Sequence, residues 1–178
     1  MIYFISDPHF GHENIIKYCN RPFKSLEEMD ETMKDNWNSR VKPTDTVIID
    51  GDFCFVNTSN RGEGTRKKWF WYADQLTGNK VFVMGNHDRN NRMNTAISSL
   101  TMRLNKQDIF VVHRPMNVIF NYDMYLVGHV HNSWKHRIYN DGERNHVMVN
   151  VGVDVWGFKP IKYDEILHYL KVQNVCLQ

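Results

Sequence analysis

Val81-Phe82-Val83-Met84-Gly85-Asn86-His87-Asp88 is the stretch on which the reading of this 178-residue chain turns. An apolar run of strand-forming type stops at a glycine and gives way at once to side chains that hold metals or move protons. The same arrangement recurs along the chain. Ile2 to Ile5 precede Asp7 and His9, and Thr46 to Ile49 precede Gly51-Asp52. Ile109 to Val112 run directly into His113, and Met124 to Val127 precede Gly128-His129-Val130-His131. Five such runs predict an α/β sheet, in which ligands gather outside the carboxyl ends of the strands. Side chains alternate along extended chain, so Asp7 and His9 are expected to point the same way, as are His129 and His131. The expectation is one site at a single edge of the sheet.

Asp7, His9, Asp52, Asn86, His113, His129 and His131 together make a ligand set for two divalent metal ions. Imidazole and carboxylate oxygen suit manganese, iron, zinc or nickel, and no motif contains a cysteine that would favour a thiolate site. Manganese is the expected metal. Two cations about 3.5 to 4 Å apart need a ligand able to bridge them. Asp52 fits that role, with Asp50, two residues earlier and on the same face, as its competitor.

Asp7-Pro8-His9, Gly51-Asp52, Gly85-Asn86-His87-Asp88, His113 and Gly128-His129-Val130-His131 follow one another in an order that resembles the signature of the calcineurin-like metallophosphoesterases. The resemblance implies two packed mixed β-sheets flanked by helices, a four-layer αββα sandwich forming one domain over residues 1–178. It gives Asp7, His9, Asp52 and His131 to one metal and Asp52, Asn86, His113 and His129 to the other. His87 takes the place of the proton donor near the leaving group, with Asp88 orienting its ring. Two cations so held generate a hydroxide that attacks phosphorus in line, and they neutralise charge on the phosphoryl oxygens. Phe53-Cys54-Phe55 stand where many members carry an acidic residue; that position is not a ligand, so the departure bears on the pocket lining alone.

The activity expected from the resemblance is hydrolysis of phosphodiester bonds, with phosphomonoesters as further substrates. The diester is favoured because the chain has no stretch long enough for a large cap domain. A small diester, a cyclic nucleotide or a short oligonucleotide would be the substrate. Two alternatives share the fold: a nuclease acting on DNA or RNA with the same centre, and a catalytically silent interaction scaffold. A net charge of +2 does not by itself mark a nucleic-acid binder. Locally, however, Arg89, Arg92, Arg103 and Arg114 follow site motifs, and Lys135, His136 and Arg137 follow His131. Arg89 and Arg114, closest to ligands, and His12, three residues past His9, are the candidate substrate contacts.

A hydrophobic content of 42%, with 13% aromatics, suffices to fill one core. The first strand begins almost at Met1, leaving no room for a signal peptide, and no apolar run approaches the ~20 residues of a membrane span. Cys19, Cys54 and Cys176 are odd in number and widely spaced, as reduced thiols in a cytoplasmic protein would be. The chain is expected to be a monomer or a homodimer, the dimer using aromatics near Trp69 or Trp156. Asn14 to Cys19 predict a short helix ended by Arg21-Pro22. Ser25 and Glu28 stand at capping-box positions, ahead of a helical stripe of Leu26, Met29, Met33 and Trp37. Asn57 to Thr65 read as a loop beside Asp52 serving as lid or partner contact, and Arg66 to Leu76 as a helix. Lys135 to Tyr139 and His146 to Val151 flank an Asn140-Asp141-Gly142 turn, and Tyr163 to Lys171 close the chain as a helix.

Overall fold

The computed structural model describes residues 1–55 and 67–175, so the Asn57 to Thr65 loop, Arg66 and Cys176 lie outside the described residues. Its strands fall into two mixed sheets. In the first, β1 (Ile2–Ile5), β2 (Thr46–Asp50) and β3 (Asn79–Val83) run parallel, and β9 (Ile161–Lys162) lies antiparallel beside β1, in the order β3-β2-β1-β9. The second contains β4 (Leu100–Leu104), β5 (Gln107–Val111), β6 (Met124–Val127), β7 (His136–Asn140) and β8 (Asn145–Asn150), in the order β4-β5-β6-β8-β7. Its three central strands are parallel and its two edges antiparallel.

Both faces of the central strands are buried, which is why their sequences are apolar without alternation. Phe4 and Ile48 pack between the sheets against Ile109, Val111, Met124, Leu126, Val147 and Val149. Tyr3, Ile5, Val47 and Ile49 face the other way. There they meet Ile15 of α1 (Glu13–Tyr18), Met29, Met33 and Trp37 of α2 (Leu26–Asn38), and Tyr72 and Ala73 of α3 (Trp69–Ala73). Helix α4 (Tyr163–Val172) adds Tyr163, Ile166 and Leu170 to the core between the sheets. On the outer face of the second sheet, Phe110, Tyr125 and Met148 pack under Val118, Phe120, Tyr122 and Trp134. No helix among the described residues is long and apolar enough to cross a membrane.

Several expectations shift. The five ligand-bearing runs divide between two sheets, three in the first and two in the second, so the site is not at one sheet's edge. It lies where the carboxyl ends of both sheets converge, and Ser6 N donates to the carbonyl of Val151 (3.0 Å) while Val151 N donates to that of Val127 (2.8 Å), lacing the two sheets together there. Helix α3 begins at Trp69, and the chain turns through Gly78 at a φ of 89° into β3. Ser25 Oγ accepts from Glu28 N (3.2 Å), but the Glu28 carboxylate reaches back to Lys24 N (2.7 Å) rather than to its cap residue. Strand β4 had no counterpart in the sequence reading. Thr101 and Arg103 break its apolar run, and Asn105 and Lys106, at φ of 49° and 68°, turn it into β5 as a tight hairpin.

Candidate metal centre

The loops that carry the ligands are not extended. Asp7, His9, Asp52, His129 and His131 have φ of 56°, 53°, 52°, 69° and 47°, in the left-handed region that few non-glycine residues adopt. Aspartate and histidine tolerate it better than most, and such conformations persist only where surrounding bonds enforce them. Here they do. Asp7 N donates to the Gly51 carbonyl (3.2 Å), His9 N to that of Asp52 (3.1 Å), and His129 N to Asp7 Oδ2 (2.8 Å). Residues i and i+2 therefore face one centre because the chain curls, not because it alternates. Gly85 and Gly128 are required by close approach: a Cβ on Gly85 would overlap Asp52 N and Oδ1, and one on Gly128 would overlap Ser6 Oγ and Asp7 Oδ2.

Two groups of ligand atoms result, Asp7 with His9 and His131, and Asp52 with His113 and His129, the atoms of each group lying within 4.8 Å of one another. Asp52 stands between them. Its Oδ1 accepts from His87 N (2.8 Å), while Oδ2 lies 3.7 Å from His9 Nε2 and 3.3 Å from His113 Nε2. Asn86 Oδ1 is 3.1 Å from His113 Nε2. Asp7 Oδ2 accepts from Ser6 Oγ (2.8 Å) as well as from His129 N, which leaves Oδ1 facing His9 and His113 at 3.9 Å. Asp7 Oδ1 and both ring nitrogens of His9 are buried without a hydrogen-bond partner among the described residues. Buried polar atoms without partners are costly unless something ligates them. Oxygen and imidazole donors with no sulfur fit divalent cations of the manganese-to-zinc range.

The electrostatics agree. Burial disfavours the charged form of His113, yet Asp7, Asp52 and Asp50 outweigh it and push the pKa up to about 10. Burial also acts against ionised Asp52, but His113, His9 and the His87 N–H hold its carboxyl below the usual range. His9 is held well below its ordinary value by burial, against the pull of Asp52. Such a concentration of carboxylates calls for positive charge.

The rings are aimed by partners on their other nitrogens. His113 Nδ1 donates to the Asp50 carbonyl (2.7 Å) and His131 Nδ1 to Asp154 Oδ2 (3.0 Å), so Nε2 of each is left to ligate. Asp50 thus contributes its main-chain oxygen. Its carboxyl belongs to neither ligand group, and burial pushes its pKa well up. Asp88 does not touch the His87 ring among the described contacts; its carboxylate accepts from Gly85 N (2.7 Å), Asp52 N (3.2 Å) and Phe53 N (3.1 Å), clamping two ligand loops together. The His87 ring faces those of His9 and Phe55, with centroids 5.9 and 5.6 Å away. His12 stacks on Phe55 at 4.0 Å, and burial pulls its pKa down to about 4.

Arg89 and Arg114 line a cleft of about 360 Å³ together with Asn86, His113, Ser98 and Asn117. Arg114 Nε also lies 3.4 Å from Asn86 Oδ1. Of the other basic residues, Arg103 pairs with Asp108, His136 bonds the Tyr169 hydroxyl, Lys135 sits over Trp156 and Arg137 over Trp134, while Arg92 is exposed. Cys54 is buried, and burial pushes its thiol up to about 12. Ser6, Arg21 and Asp154 were not singled out from sequence. Only Asp154 gave a signal, a lone charge in the apolar Val151 to Trp156 segment that follows a strand.

Residues 1–117 match the calcineurin-like phosphoesterase family, and the chain belongs to that family. The match ends before His129 and His131, whose place in the site rests on the geometry above. The chain is 34% identical over 178 residues to an uncharacterized protein of Methanocaldococcus jannaschii, covering 98% of this chain and 93% of the other. The Gene 66 protein of Mycobacterium phage L5 is 35% identical over 92 residues, covering 52% of this chain and 42% of its own length. A crystal structure of a protein of unknown function from Aquifex aeolicus superposes with a TM-score of 0.68 at 26% identity, covering 95% of this chain and 98% of that one.

Proposed function

We propose that the chain is a phosphodiesterase dependent on two divalent cations, one held by Asp7, His9, Asp52 and His131 and the other by Asp52, Asn86, His113 and His129. The observation that carries this reading is Asp52 Oδ2, poised between Nε2 of His9 and Nε2 of His113, with unpartnered buried atoms of Asp7 and His9 beside it. Two cations so bound would supply Lewis acidity and an activated water for in-line displacement. The chain's own groups do the rest. Asn86 and Arg114 flank the approach to the second ligand group, and Arg89 and Arg114 offer charge-assisted bonds to phosphate oxygens. His87, half-buried beside His9, would protonate the departing oxygen. Ser98 and Asn117 line the same cleft of about 360 Å³ as Asn86, Arg89 and Arg114, and a second esterified group of the substrate would occupy it.

The test uses the protein stripped of metal and reloaded with manganese, assayed on paired chromogenic phosphodiester and phosphomonoester substrates. Faster diester turnover, abolished in Asp52→Asn, is expected. Absence of turnover despite two bound metals per chain, or clear preference for the monoester, would overturn the proposal. A polyanionic substrate touching both arginines would also lose affinity steeply with salt, and a small diester would not.

A further inference from the structure

Arg21 lies beyond helix α1, twelve residues past His9 and outside every ligand motif, and is 5% exposed. Its guanidinium spends its donors on one side of the site. Nε and Nη2 donate to the two carboxylate oxygens of Asp154 at 2.8 and 3.0 Å, Nη2 also to the Asp7 carbonyl (2.8 Å), and Nη1 to the Pro8 carbonyl (2.9 Å). Asp154 in turn accepts from His131 Nδ1. All three members of the first ligand group are therefore tied to one buried ion pair. Asp7 and His9 are tied through the carbonyls of Asp7 and Pro8, between the left-handed Asp7 and His9, and His131 through its ring. None of these bonds reaches Asn86, His113 or His129. The corresponding ring of the second group, His113, rests on a neutral carbonyl, that of Asp50.

We infer that Arg21 and Asp154 are positioning residues that set cation affinity at the Asp7, His9 and His131 group without setting it at the Asn86, His113 and His129 group. The inference rests on the two-cation reading above. An ionised partner on Nδ1 fixes the tautomer and makes Nε2 a stronger donor than a carbonyl partner does. Replacing a buried ion pair with packed apolar side chains is often neutral or stabilising, so stability alone gives little reason for this one. Arginine rather than lysine suits the place because a planar fork can hold a carboxylate and two carbonyls at once. Cys19 also lies within ligand distance of His131 and Asp154. Arg21 already covers both oxygens of Asp154, however, and so supplies the positive charge that a cation would bring there.

The experiment is a manganese titration of the full metal-free chain, followed by calorimetry and by the electron paramagnetic resonance signal of the metal. His131→Ala and Asn86→Ala identify which binding phase belongs to which group. Asp154→Asn keeps an acceptor for His131 but removes the charge. Because it leaves Arg21 unpaired, the double variant Arg21→Gln with Asp154→Asn is measured beside it, together with Arg21→Lys, which keeps the charge and loses the fork. The expected result is a loss of about 10- to 100-fold in affinity in the phase that His131→Ala removes, with the phase that Asn86→Ala removes unchanged. Equal weakening of both phases, or no change in either, would overturn the inference while two cations still bind the unaltered chain. Failure of the unaltered chain to bind two cations is a separate result and would overturn the two-cation reading along with it.

Discussion

Asp88 offers the sharpest stability test, because the structure and the family resemblance give it different work. Its side chain is buried and accepts three backbone N–H groups, those of Gly85, Asp52 and Phe53, none of which has water to turn to. Removing the acceptor strands all three, at about 1–3 kcal/mol each. Burial pushes the Asp88 carboxyl pKa up against those same bonds, so part of the loss is offset by no longer burying a charge. Asp88→Ala is therefore expected to lose on the order of 3–6 kcal/mol. Asp88→Asn can turn its amide oxygen to Gly85 and Asp52, which share Oδ2, but then sets an NH₂ against Phe53 N–H. It should lose about 1–3 kcal/mol.

Urea unfolding of the metal-free chain at neutral pH measures both variants directly. Metal binding should weaken in parallel, since Asp88 fixes the loop on which Asp52 rides. An Asn variant within about 0.5 kcal/mol of the unaltered protein would refute the clamp. If Asp88 instead acted by orienting the His87 ring, Asp88→Asn would reshape the pH–rate profile and leave the unfolding midpoint in place.

Three further outcomes follow from the same geometry. Burial pushes the Asp30 carboxyl from an ordinary 3.8 up to about 6, against hydrogen bonds from Gly11 N–H and Tyr72. The folded chain thus holds this proton more tightly than the unfolded one, and its stabilising contribution, present below about pH 4, is lost as pH rises through 6; the loss is on the order of 3 kcal/mol. Asp30→Asn should flatten the decline in urea midpoint across that window, and identical slopes would contradict the assignment. His87→Asn is expected to lower turnover by about 10²- to 10⁴-fold with metal content unchanged, because the His87 main chain, not its ring, bonds Asp52; metal loss measured by elemental analysis would count against a proton-donor role. Gly128→Ala forces a methyl against Ser6 Oγ and Asp7 Oδ2, so thermal unfolding should show about 1–3 kcal/mol of destabilisation together with weakened metal binding, and normal binding would show that the loop yields.

Which parts of this molecule are legible in its sequence follows from whether the cause is local. Strands β1, β2, β5 and β6 are buried on both faces, and burial of that kind writes itself into a short continuous apolar run. Strand β4 lies at an edge, carries polar residues at alternate positions, and leaves no such run. The seven candidate ligands are local in the same sense: each stands within four residues of a strand's end, and the structure brings their side chains to one place. How they reach it is not local. The left-handed backbone at Asp7, His9, Asp52, His129 and His131 is imposed by bonds from other loops, so an extended reading of each segment foresees the convergence for the wrong reason. The aiming residues are less visible still. Arg21 contacts Asp154 across 133 positions, and Asp154 contacts His131 across 23, and a residue whose role is defined by a partner that distant carries no mark of it in its own neighbourhood. A motif therefore reports which atoms are available to a metal, while, on the inference drawn from Arg21 and Asp154, residues outside every motif set how tightly those atoms hold it.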